Sequence, residues 1–415
     1  MRPSVDAACA ALLALQFGCA AVPPEQGKVG PGAYQAVDAS GEVDVIVSLR
    51  GTESPELESD HFTVTRRYAH IPALAGRATR RGLQSLESHP EVLKVDREGV
   101  RYASSSESVP LIRGDETRSA GLTGRGSIVA VIDTGVDSSH RDLEGAVIEE
   151  ACFCGGCCSG GASTGSGRGS ARDDNGHGTN VSGIIASAGR VSPVGVAPDA
   201  KIVGLRVLGP RGGSDSDILA ALDYVLARPQ IRVVNMSLGG GRFSTVCDTT
   251  DASNQAFASA LANLRVRGTL TAVASGNEGF PDSVASPACI NAALAIGAVY
   301  DDNVGGIRWS TCPDATTAAD QVTCFSNSSP LVELLAPGAL VTSAGLGGST
   351  LTAGGTSQAT PHVAGAAAVL LQVRPSLTVS EMIDIFKRTG RAVTDRKNGL
   401  TLPRINLRAA ADAAR

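Results

Sequence analysis

The sequence is poor in aromatic side chains and has no long uninterrupted apolar run. Aromatic residues make up 3% of the 415 residues, and there is a single tryptophan. Charged residues make up 19% and the net charge is −5, so the chain lacks the basic surface that suits nucleic acid, and we expect no nucleic-acid partner. No apolar run is long enough to cross a bilayer as a permanent helix. Apolar residues still make up 42%, which is typical of a packed globular protein.

Residues 1–21 have the features of an export signal. Arg2 precedes an apolar stretch over residues 7–17, and small residues follow it. Cys19 resembles the cleavage site of a bacterial lipoprotein, although Gln16 stands where that pattern has an aliphatic residue. Two alternatives stay open: a soluble extracellular protein, or one held on the cell envelope, with membrane contact only through a lipid on Cys19.

Cysteine usage agrees with export. Eight of the ten cysteines lie beyond the signal, and an even set of this kind favours disulfides in an oxidising compartment. Four of them cluster between residues 152 and 158 and permit a zinc or iron–sulfur hypothesis. No second paired Cys or His motif supports a metal, so we favour two local disulfides in a surface loop. The cluster consists of Cys152, Cys154, Cys157 and Cys158.

Two segments precede the main domain. Residues 22–41 are rich in Pro, Gly, Ala and Gln without periodicity, and we predict a flexible linker there. Residues 42–103 are predicted to be a small α+β unit, and a polar, cleavable stretch follows it over residues 103–107. The elements predicted within the unit are strands over 43–49, 62–68 and 92–102 and a helix over 80–87.

Short apolar strands alternate with helical segments from residue 105 to residue 415. The strands are predicted over 128–132, 201–208, 233–238, 270–274 and 293–299. The helices are predicted over 177–188, 215–228, 253–267, 357–372 and 378–388. Nearly continuous apolar strands are typical of a parallel sheet buried on both faces. We therefore predict a doubly wound, mainly parallel α/β domain with helices on both faces and a functional crevice beyond the carboxyl ends of the strands.

Three polar side chains stand out in this domain. Asp133 ends an apolar run, His177 lies among glycines, and Ser357 precedes an apolar helix. Serine is a weak nucleophile at neutral pH, so it needs a nearby base, and that base needs an acceptor to fix its tautomer. Each residue by itself is more simply explained as a cap or loop residue. Together they predict Ser357 as nucleophile, His177 as general base and then acid, and Asp133 as the orienting carboxylate.

The same chemistry requires donors for an oxyanion. Asn277, in the segment 274–279, is predicted to be the side-chain donor, and the backbone N–H of Ser357 is predicted to be the second. The apolar helix over 363–371 is expected to run through the core and make the serine a rigid platform. Pro361 is predicted to lie in the first turn of the helix over 357–372, where a missing N–H does little harm.

At these residues the chain resembles the subtilisin-like serine proteases, the subtilases. The order Asp, His, Ser is theirs. The matching signatures lie at 131–137, 175–179, 274–279 and 355–365, and the resemblance covers residues 105–411. It implies an endopeptidase that hydrolyses peptide bonds through an acyl-enzyme without a cofactor. A catalytically silent scaffold that binds peptides, and a processing protease dedicated to one partner, are the alternatives.

The resemblance also implies residues for substrate binding and for control. Protein or peptide substrates would bind as an added strand. Residues 42–103 resemble the inhibitory propeptide of the family, which implies a zymogen that cleaves itself near Ser105 and binds its own propeptide. We expect a monomer. The implied substrate-binding residues are Gly213, Ser237, Leu238, Gly239, Ser275 and Gly276.

The chain departs from the family pattern at two positions. Gln358 stands where the family has methionine, and because glutamine cannot form a sulfoxide we expect better resistance to peroxide. Asp142 resembles a calcium ligand, but the loop 188–194 lacks the asparagine partner, so Asp142 is predicted to form a salt bridge or turn instead. Structural calcium elsewhere is not assignable to residues. His362 is predicted to be buried and His140 to be at the surface.

The remaining four cysteines give two further predicted disulfides. The pair Cys247 and Cys289 resembles one in bacterial subtilases. Cys312 and Cys324 would close a short loop. Sequence spacing does not prove either connection.

Overall fold

The described part of the chain forms two compact units. The predicted signal at 1–21 and the predicted cleavage point near Ser105 lie outside it. The units divide between Arg101 and Tyr102. No helix in the described part is long and apolar enough to span a membrane. This computed structural model describes residues 27–51, 55–68, 71–98 and 107–415.

The N-terminal unit is a four-stranded antiparallel sheet with two helices. Its elements are α1 (Pro31–Ser40), β1 (Glu42–Leu49), β2 (Phe62–Arg67), β3 (Ala73–Thr79), α2 (Arg80–Ser88) and β4 (Val92–Arg97). The sheet order is β2-β3-β1-β4. Buried and exposed side chains alternate at the start of β1, and Val45 and Val47 are fully buried. Leu83 of α2 belongs to the same core.

Helix α1 contradicts the linker predicted over 22–41, of which residues 22–26 lie outside the described part. Ala33 and Val37 are buried in the core of the unit. A proline in the first turn suits a helix N terminus, and Gly41 ends the helix in the left-handed region at φ 83°. Composition did not indicate this helix because a short helix is stabilised mainly by the surface on which it packs.

The C-terminal unit contains the remaining elements. Its helices are α3 (Ser108–Leu111), α4 (Gly114–Ser119), α5 (His177–Ala186), α6 (Asp215–Leu226), α7 (Ala252–Val266), α8 (Thr356–Val373), α9 (Val379–Thr389) and α10 (Leu407–Ala414). Its strands are β5 (Ile128–Asp133), β6 (Val147–Phe153), β7 (Thr164–Ser166), β8 (Lys201–Arg206), β9 (Val233–Met236), β10 (Gly240–Phe243), β11 (Leu270–Ala274), β12 (Val284–Ser286), β13 (Leu294–Tyr300), β14 (Ile307–Arg308), β15 (Pro313–Asp314), β16 (Leu334–Ala339), β17 (Val341–Ala344), β18 (Thr350–Ala353), β19 (Arg391–Thr394) and β20 (Thr401–Arg404).

Ten of these strands form one sheet that separates two hydrophobic cores. Its order is β19-β20-β16-β13-β11-β9-β5-β8-β6-β7, and only the outermost pairs are antiparallel. On β5, Val129 and Val131 enter the core that contains α5 and α8. The alternate residues, Ala130 and Ile132, enter the core that contains α6 and α7. The predicted mainly parallel sheet with helices on both faces is confirmed.

The sequence patterns do not predict β6 or β16. Strand β6 contains the polar residue Glu149, whose carboxylate accepts a hydrogen bond from Arg228 at 2.8 Å. The charge of Glu149 is thus compensated by a residue far away in the sequence. Strand β16 contains Pro337, which argues against an internal strand. Pro337 lies opposite Val299, where the register of the parallel pair shifts, and the shift accommodates the proline.

Helix α8 runs through the core, as predicted. From Thr356 to Leu371, all of which are described, Ser357 is the one residue that is not buried. Pro361 lies inside the helix, so its predicted place in the first turn was wrong. The missing N–H of the proline leaves the Ser357 carbonyl without its intrahelical donor. The Ser237 hydroxyl donates to that carbonyl at 2.8 Å and satisfies it.

Candidate active site

The central strand β5 and helix α5 bring a carboxylate and an imidazole together. Asp133 ends β5 and is fully buried, whereas the side chain of His177, the first residue of α5, is 29% exposed. Asp133 Oδ1 lies 2.7 Å from His177 Nδ1 and also accepts the Thr134 N–H at 2.7 Å. Because a carboxylate accepts, Nδ1 carries the imidazole proton. Nε2 therefore presents a lone pair and can act as a base.

The carboxylate also changes the titration of the imidazole. Burial lowers the pKa of His177, but the charge and hydrogen bond of Asp133 outweigh burial, and Asp173 adds to them. The pKa of His177 consequently lies above its ordinary value of 6.5. The carboxylate thus strengthens the imidazole as a base, and the protonated ring can later return the proton as an acid.

Asp173 holds the first turn of α5 and was missed by the sequence interpretation. Helix N termini leave N–H groups without intrahelical partners, and this buried carboxylate satisfies several of them. Hydrogen bonds outweigh burial, so the pKa of Asp173 is lowered. An Asp two residues before Asn-Gly is typical of an Asx turn and is the signal that could have found it. The donors to Asp173 are the backbone N–H groups of Asn175, Gly176 and Thr179 and the hydroxyls of Thr134 and Thr179.

Ser357 lies at the start of α8. Its hydroxyl donates to the Ser237 carbonyl at 3.2 Å, and no hydrogen bond joins it to His177 in the described part of the chain. Its backbone N–H lies in the first turn, where no intrahelical acceptor exists. The next residue connects the two helices of the site, because the Gln358 side-chain amide donates to Asn180 of α5 at 3.2 Å.

Asn277 follows β11 and faces the start of α8. Its Oδ1 accepts the Thr356 N–H at 2.8 Å and the Thr356 hydroxyl at 3.0 Å. Nδ2 is then the atom of the amide that remains to donate. A Cβ at Gly355 would lie 3.2 Å from that nitrogen, so a glycine allows the amide to approach the backbone before Ser357. Thr356, which sequence reasoning missed, thereby orients the donor.

Asn327 clamps the segment that contains Asn277, and it too was missed. The side chain is buried, and its Oδ1 accepts the backbone N–H groups of Glu278 and Phe280 at 3.1 and 3.0 Å. Its Nδ2 donates to the Ser275 carbonyl at 3.1 Å and to the Glu278 carboxylate at 2.6 Å. An asparagine that satisfies four partners from one segment fixes the backbone around Asn277.

A groove of about 830 Å³ contains some of the predicted substrate residues. Gly213, Leu238 and Gly239 line it, and their small or apolar character leaves room for a bulky side chain. Apolar walls complete the groove, and Asp215 and Asp251 also line it, so it offers both apolar surface and negative charge. The residues of these walls are Leu208, Ile218, Phe243 and Phe257.

The other predicted substrate residues have roles inside the protein. The hydroxyl of Ser237 is buried and engaged with Ser357, as described above. Ser275 is fully buried and donates to the Asn327 carbonyl at 3.1 Å. The Gly276 N–H donates to the Thr356 hydroxyl at 3.2 Å, and its φ of 108° lies in the left-handed region. These three residues are not among those that line the groove.

Disulfides join all eight cysteines of the described part. Their sulfur atoms are therefore not available to the zinc or iron–sulfur site considered above. A Cβ at Gly209 would lie 3.1 Å from Cys157 Sγ, so the local staple supports the loop that leads to Gly213. The bonds are Cys152–Cys158, Cys154–Cys157, Cys247–Cys289 and Cys312–Cys324.

The loop that resembles a calcium site does not fit a cation. Asp142 is buried, and its carboxylate accepts the N–H groups of Arg190 and Ser192 at 2.6 and 2.7 Å and the Ser192 hydroxyl at 2.8 Å. Burial raises the pKa of Asp142, but these donors outweigh burial and lower it. Calcium needs oxygen ligands, whereas N–H donors surround this carboxylate. Of the two predicted alternatives, a salt bridge or a turn, the hydrogen bonds support the turn, and no ion pair of Asp142 is present in residues 107–415.

Two histidines outside the site are both buried. His140 Nδ1 accepts the Asp142 N–H at 3.1 Å, so Nε2 donates to the Ser349 carbonyl at 2.9 Å, and its predicted surface position was wrong. His362 is fully buried, as predicted, and its Nδ1 donates to the Gln358 carbonyl at 2.8 Å. Burial lowers the pKa of His362 to about 4, so it stays neutral.

Comparisons with known proteins identify the family of the chain. The profile of the family described as "Subtilase family" matches residues 124–404. The chain is 30% identical over 398 residues to the minor extracellular protease Epr of Bacillus subtilis, covering 90% of this chain and 55% of that protein. It is 32% identical over 365 residues to the alkaline protease of Alkalihalobacillus alcalophilus, covering 86% and 82%.

Solved structures show the same similarity. A protease from Pseudoalteromonas arctica superposes with a TM-score of 0.59 at 26% identity, covering 74% of this chain and 94% of that one. A cold-adapted subtilisin-like serine proteinase superposes with a TM-score of 0.52 at 30% identity, covering 68% and 89%. The chain therefore belongs to the subtilase family of subtilisin-like serine endopeptidases.

Proposed function

We propose that the protein is an exported endopeptidase that cleaves protein or peptide substrates through an acyl-enzyme on Ser357. The observation that carries the proposal is that two side chains, His177 and Asn277, are each oriented by a hydrogen-bonded neighbour. Asp133 holds His177 as the tautomer with a basic Nε2. Thr356 holds Asn277 with its Nδ2 left to donate. One group removes a proton, and the other binds the charge that then develops.

In the proposed reaction the Ser357 hydroxyl turns from the Ser237 carbonyl towards His177 when substrate binds. Hydrogen bonds in catalytic sites are commonly loose before substrate arrives. Ser357 Oγ attacks the scissile carbonyl while His177 takes its proton, and the carbonyl oxygen becomes an oxyanion bound by Asn277 and the Ser357 N–H. The imidazolium then protonates the leaving amine. Water hydrolyses the ester by the same steps, without a cofactor.

The N-terminal unit would act as the inhibitory propeptide of a zymogen. It has its own sheet and core, which a folding template needs, and the chain between residues 98 and 107 connects it to the catalytic unit. Export agrees with the signal features at 1–21 and with an extracellular relative. Whether a lipid on Cys19 anchors the mature enzyme is decided by the mass of the native amino terminus.

The experiment compares the full chain with its Ser357→Ala variant. We expect the unchanged chain to lose mass after expression and to react with a serine-directed fluorophosphonate. The variant should keep its full mass and remain unlabelled. Ser216→Ala, which alters an exposed serine of α6, is the matched control and should process and label normally.

An unchanged chain that neither shortens nor labels would overturn the proposal. That result is also what the silent-scaffold hypothesis predicts. Labelling without loss of mass would retain the endopeptidase and remove the self-processing step. Labelling with cleavage of a single partner protein and of no general peptide would favour the dedicated processing protease instead.

A further inference from the structure

We propose that Trp309 is a positioning residue for the hydrolysis proposed above, on which this inference rests. Its indole sets the distance between the backbone that leads to Ser357 and the segment that holds Asn277. Trp309 is the only tryptophan of the chain and is partly exposed. Four observations carry the inference: its contact with Gly354, its contact with Phe325, the anchoring of its ring nitrogen, and the tether on its hairpin.

The first contact is with the backbone before the nucleophile. A Cβ at Gly354 would lie 2.4 and 2.5 Å from two atoms of the indole ring. The ring therefore rests directly on the glycine backbone, and no side chain could stand between them. Gly354 precedes Ser357 by three residues, and Gly355 between them donates its N–H to the Gly338 carbonyl at 2.7 Å. A shift of the indole would consequently reach the first turn of α8.

The second contact is with the segment that clamps Asn277. The rings of Trp309 and Phe325 pack edge to face with centroids 4.8 Å apart. The Phe325 carbonyl accepts the Gly279 N–H at 2.8 Å. Two residues further on, Asn327 binds the backbone around Asn277 through the four hydrogen bonds already described. The same indole thus contacts a residue on the way to each half of the predicted oxyanion site: Gly354 before Ser357, and Phe325 before Asn327.

The ring nitrogen of Trp309 is anchored by a hydrogen-bond network centred on the fully buried Tyr300. Nε1 donates to the Tyr300 hydroxyl at 2.6 Å, and that hydroxyl donates to the Asp314 carboxylate at 2.7 Å. Burial raises the pKa of Tyr300 well above its ordinary value, so the phenol keeps its proton. Asp314 also accepts the Cys324 N–H at 2.9 Å. The network fixes the plane of the indole and joins it to the segment that contains Phe325.

The hairpin of β14 and β15 carries Trp309 and is tethered at its tip. The Trp309 N–H donates to the Cys312 carbonyl at 2.9 Å, and a disulfide joins Cys312 to Cys324. The backbone on both sides of the indole is therefore tied to the segment on which Phe325 lies. The Trp309 side chain is thus held by a hydrogen-bond network and by contacts with Gly354 and Phe325, and its hairpin is held by a disulfide. A side chain that only covered apolar surface would not need so many constraints.

The test measures kcat and KM of Trp309→Ala and Trp309→Phe on a chromogenic peptide anilide, per site titrated with fluorophosphonate. Misplacement of reacting groups by about 1 Å lowers the reaction rate by up to roughly 100-fold. We expect kcat of Trp309→Ala to fall about 10- to 100-fold with KM within about twofold. Trp309→Phe keeps a ring on Gly354 but loses the Nε1 hydrogen bond to Tyr300, so its kcat should lie about three- to tenfold below that of the unchanged chain.

Phe386→Leu is the control for lost stability. Phe386 is a fully buried aromatic residue of α9, and its truncation should lower the melting temperature without changing kcat per titrated site. Equal kcat per site in Trp309→Ala and the unchanged chain would overturn the proposal, as would a matching loss in Phe386→Leu. If Trp309→Ala does not fold, a kcat of Trp309→Phe within about twofold of the unchanged chain overturns it. Failure of the proposed endopeptidase function would look different, because the unchanged chain would then not react with the fluorophosphonate.

Discussion

The two sides of the candidate site differ in their chemistry. The side of Asp133 and His177 depends on charge: two buried carboxylates, an imidazole and the first turn of α5. The side of Ser357 and Asn277 depends on neutral donors: an amide, hydroxyls and backbone N–H groups. In the proposed reaction the charged side would move a proton, so its contribution should respond to pH. The neutral side would bind developing charge, so its contribution should depend on position.

The largest effect should come from the charged side. Asp133→Asn keeps the shape of the side chain but offers an N–H to His177 Nδ1, which favours the wrong tautomer. We expect kcat to fall about 10⁴-fold. The measurement is the rate of peptide hydrolysis. The enzyme concentration used to calculate kcat comes from the mass of protein and not from fluorophosphonate labelling. A fall smaller than about tenfold would show that Asp133 does not select the tautomer.

The neutral side should give the next largest effect. Asn277→Ala removes the side-chain donor to the oxyanion, and we expect kcat to fall about 10²- to 10³-fold with little change in KM. Steady-state hydrolysis of a peptide anilide separates the two constants. A rise in KM at constant kcat would mean that Asn277 binds substrate and not the transition state.

Thr356→Val tests whether that donor must be oriented. The change removes the hydroxyl that holds Asn277 Oδ1 at 3.0 Å but keeps the shape and the backbone N–H. Because one of two orienting hydrogen bonds remains, we expect a loss in kcat of about tenfold, equivalent to about 1.4 kcal/mol. The double variant with Asn277→Ala should lose no more than Asn277→Ala, since the two residues act as one unit.

The smallest expected effect is a shift in the pH profile of kcat/KM, which also distinguishes the two sides. Catalysis needs neutral His177, so kcat/KM should fall as pH drops through the pKa of His177. That pKa is raised, and the midpoint of the acid limb should therefore lie above pH 6.5. Asn277→Ala should leave the midpoint unchanged because it removes no charge. A midpoint below 6.5 in the unchanged chain would contradict the influence assigned to Asp133.

Much of this site could be predicted from local sequence. Asp133, His177, Ser357 and Asn277 each stand next to a predicted strand or helix end, and parallel strands place such ends at one edge of a sheet. Of the residues that orient them, Asp173 has a local Asx-turn signal, but Thr356 and Asn327 could not be predicted. Both look like ordinary cap or loop residues until their partners are known. The bond from Thr356 to Asn277 spans 79 residues, and no periodicity reports such a contact.

The same limit applies to the fold. Apolar runs predicted β5, β8, β9, β11 and β13 because a strand buried on both faces needs few polar side chains. Strand β16 and helix α1 were missed because the contacts that stabilise them are tertiary. Propensity reports only what a segment prefers by itself, and packing overrides that preference.

The sequence by itself determined which groups can react, the order in which they occur, and the alternation that builds a doubly wound sheet. The tertiary structure alone decided how those groups are held. The carbonyl that Pro361 leaves unpaired is satisfied by Ser237 from 120 residues away, and Trp309 rests on a glycine backbone in another part of the chain. The physical reason is that reactivity belongs to a residue type, whereas position comes from partners that only folding brings together.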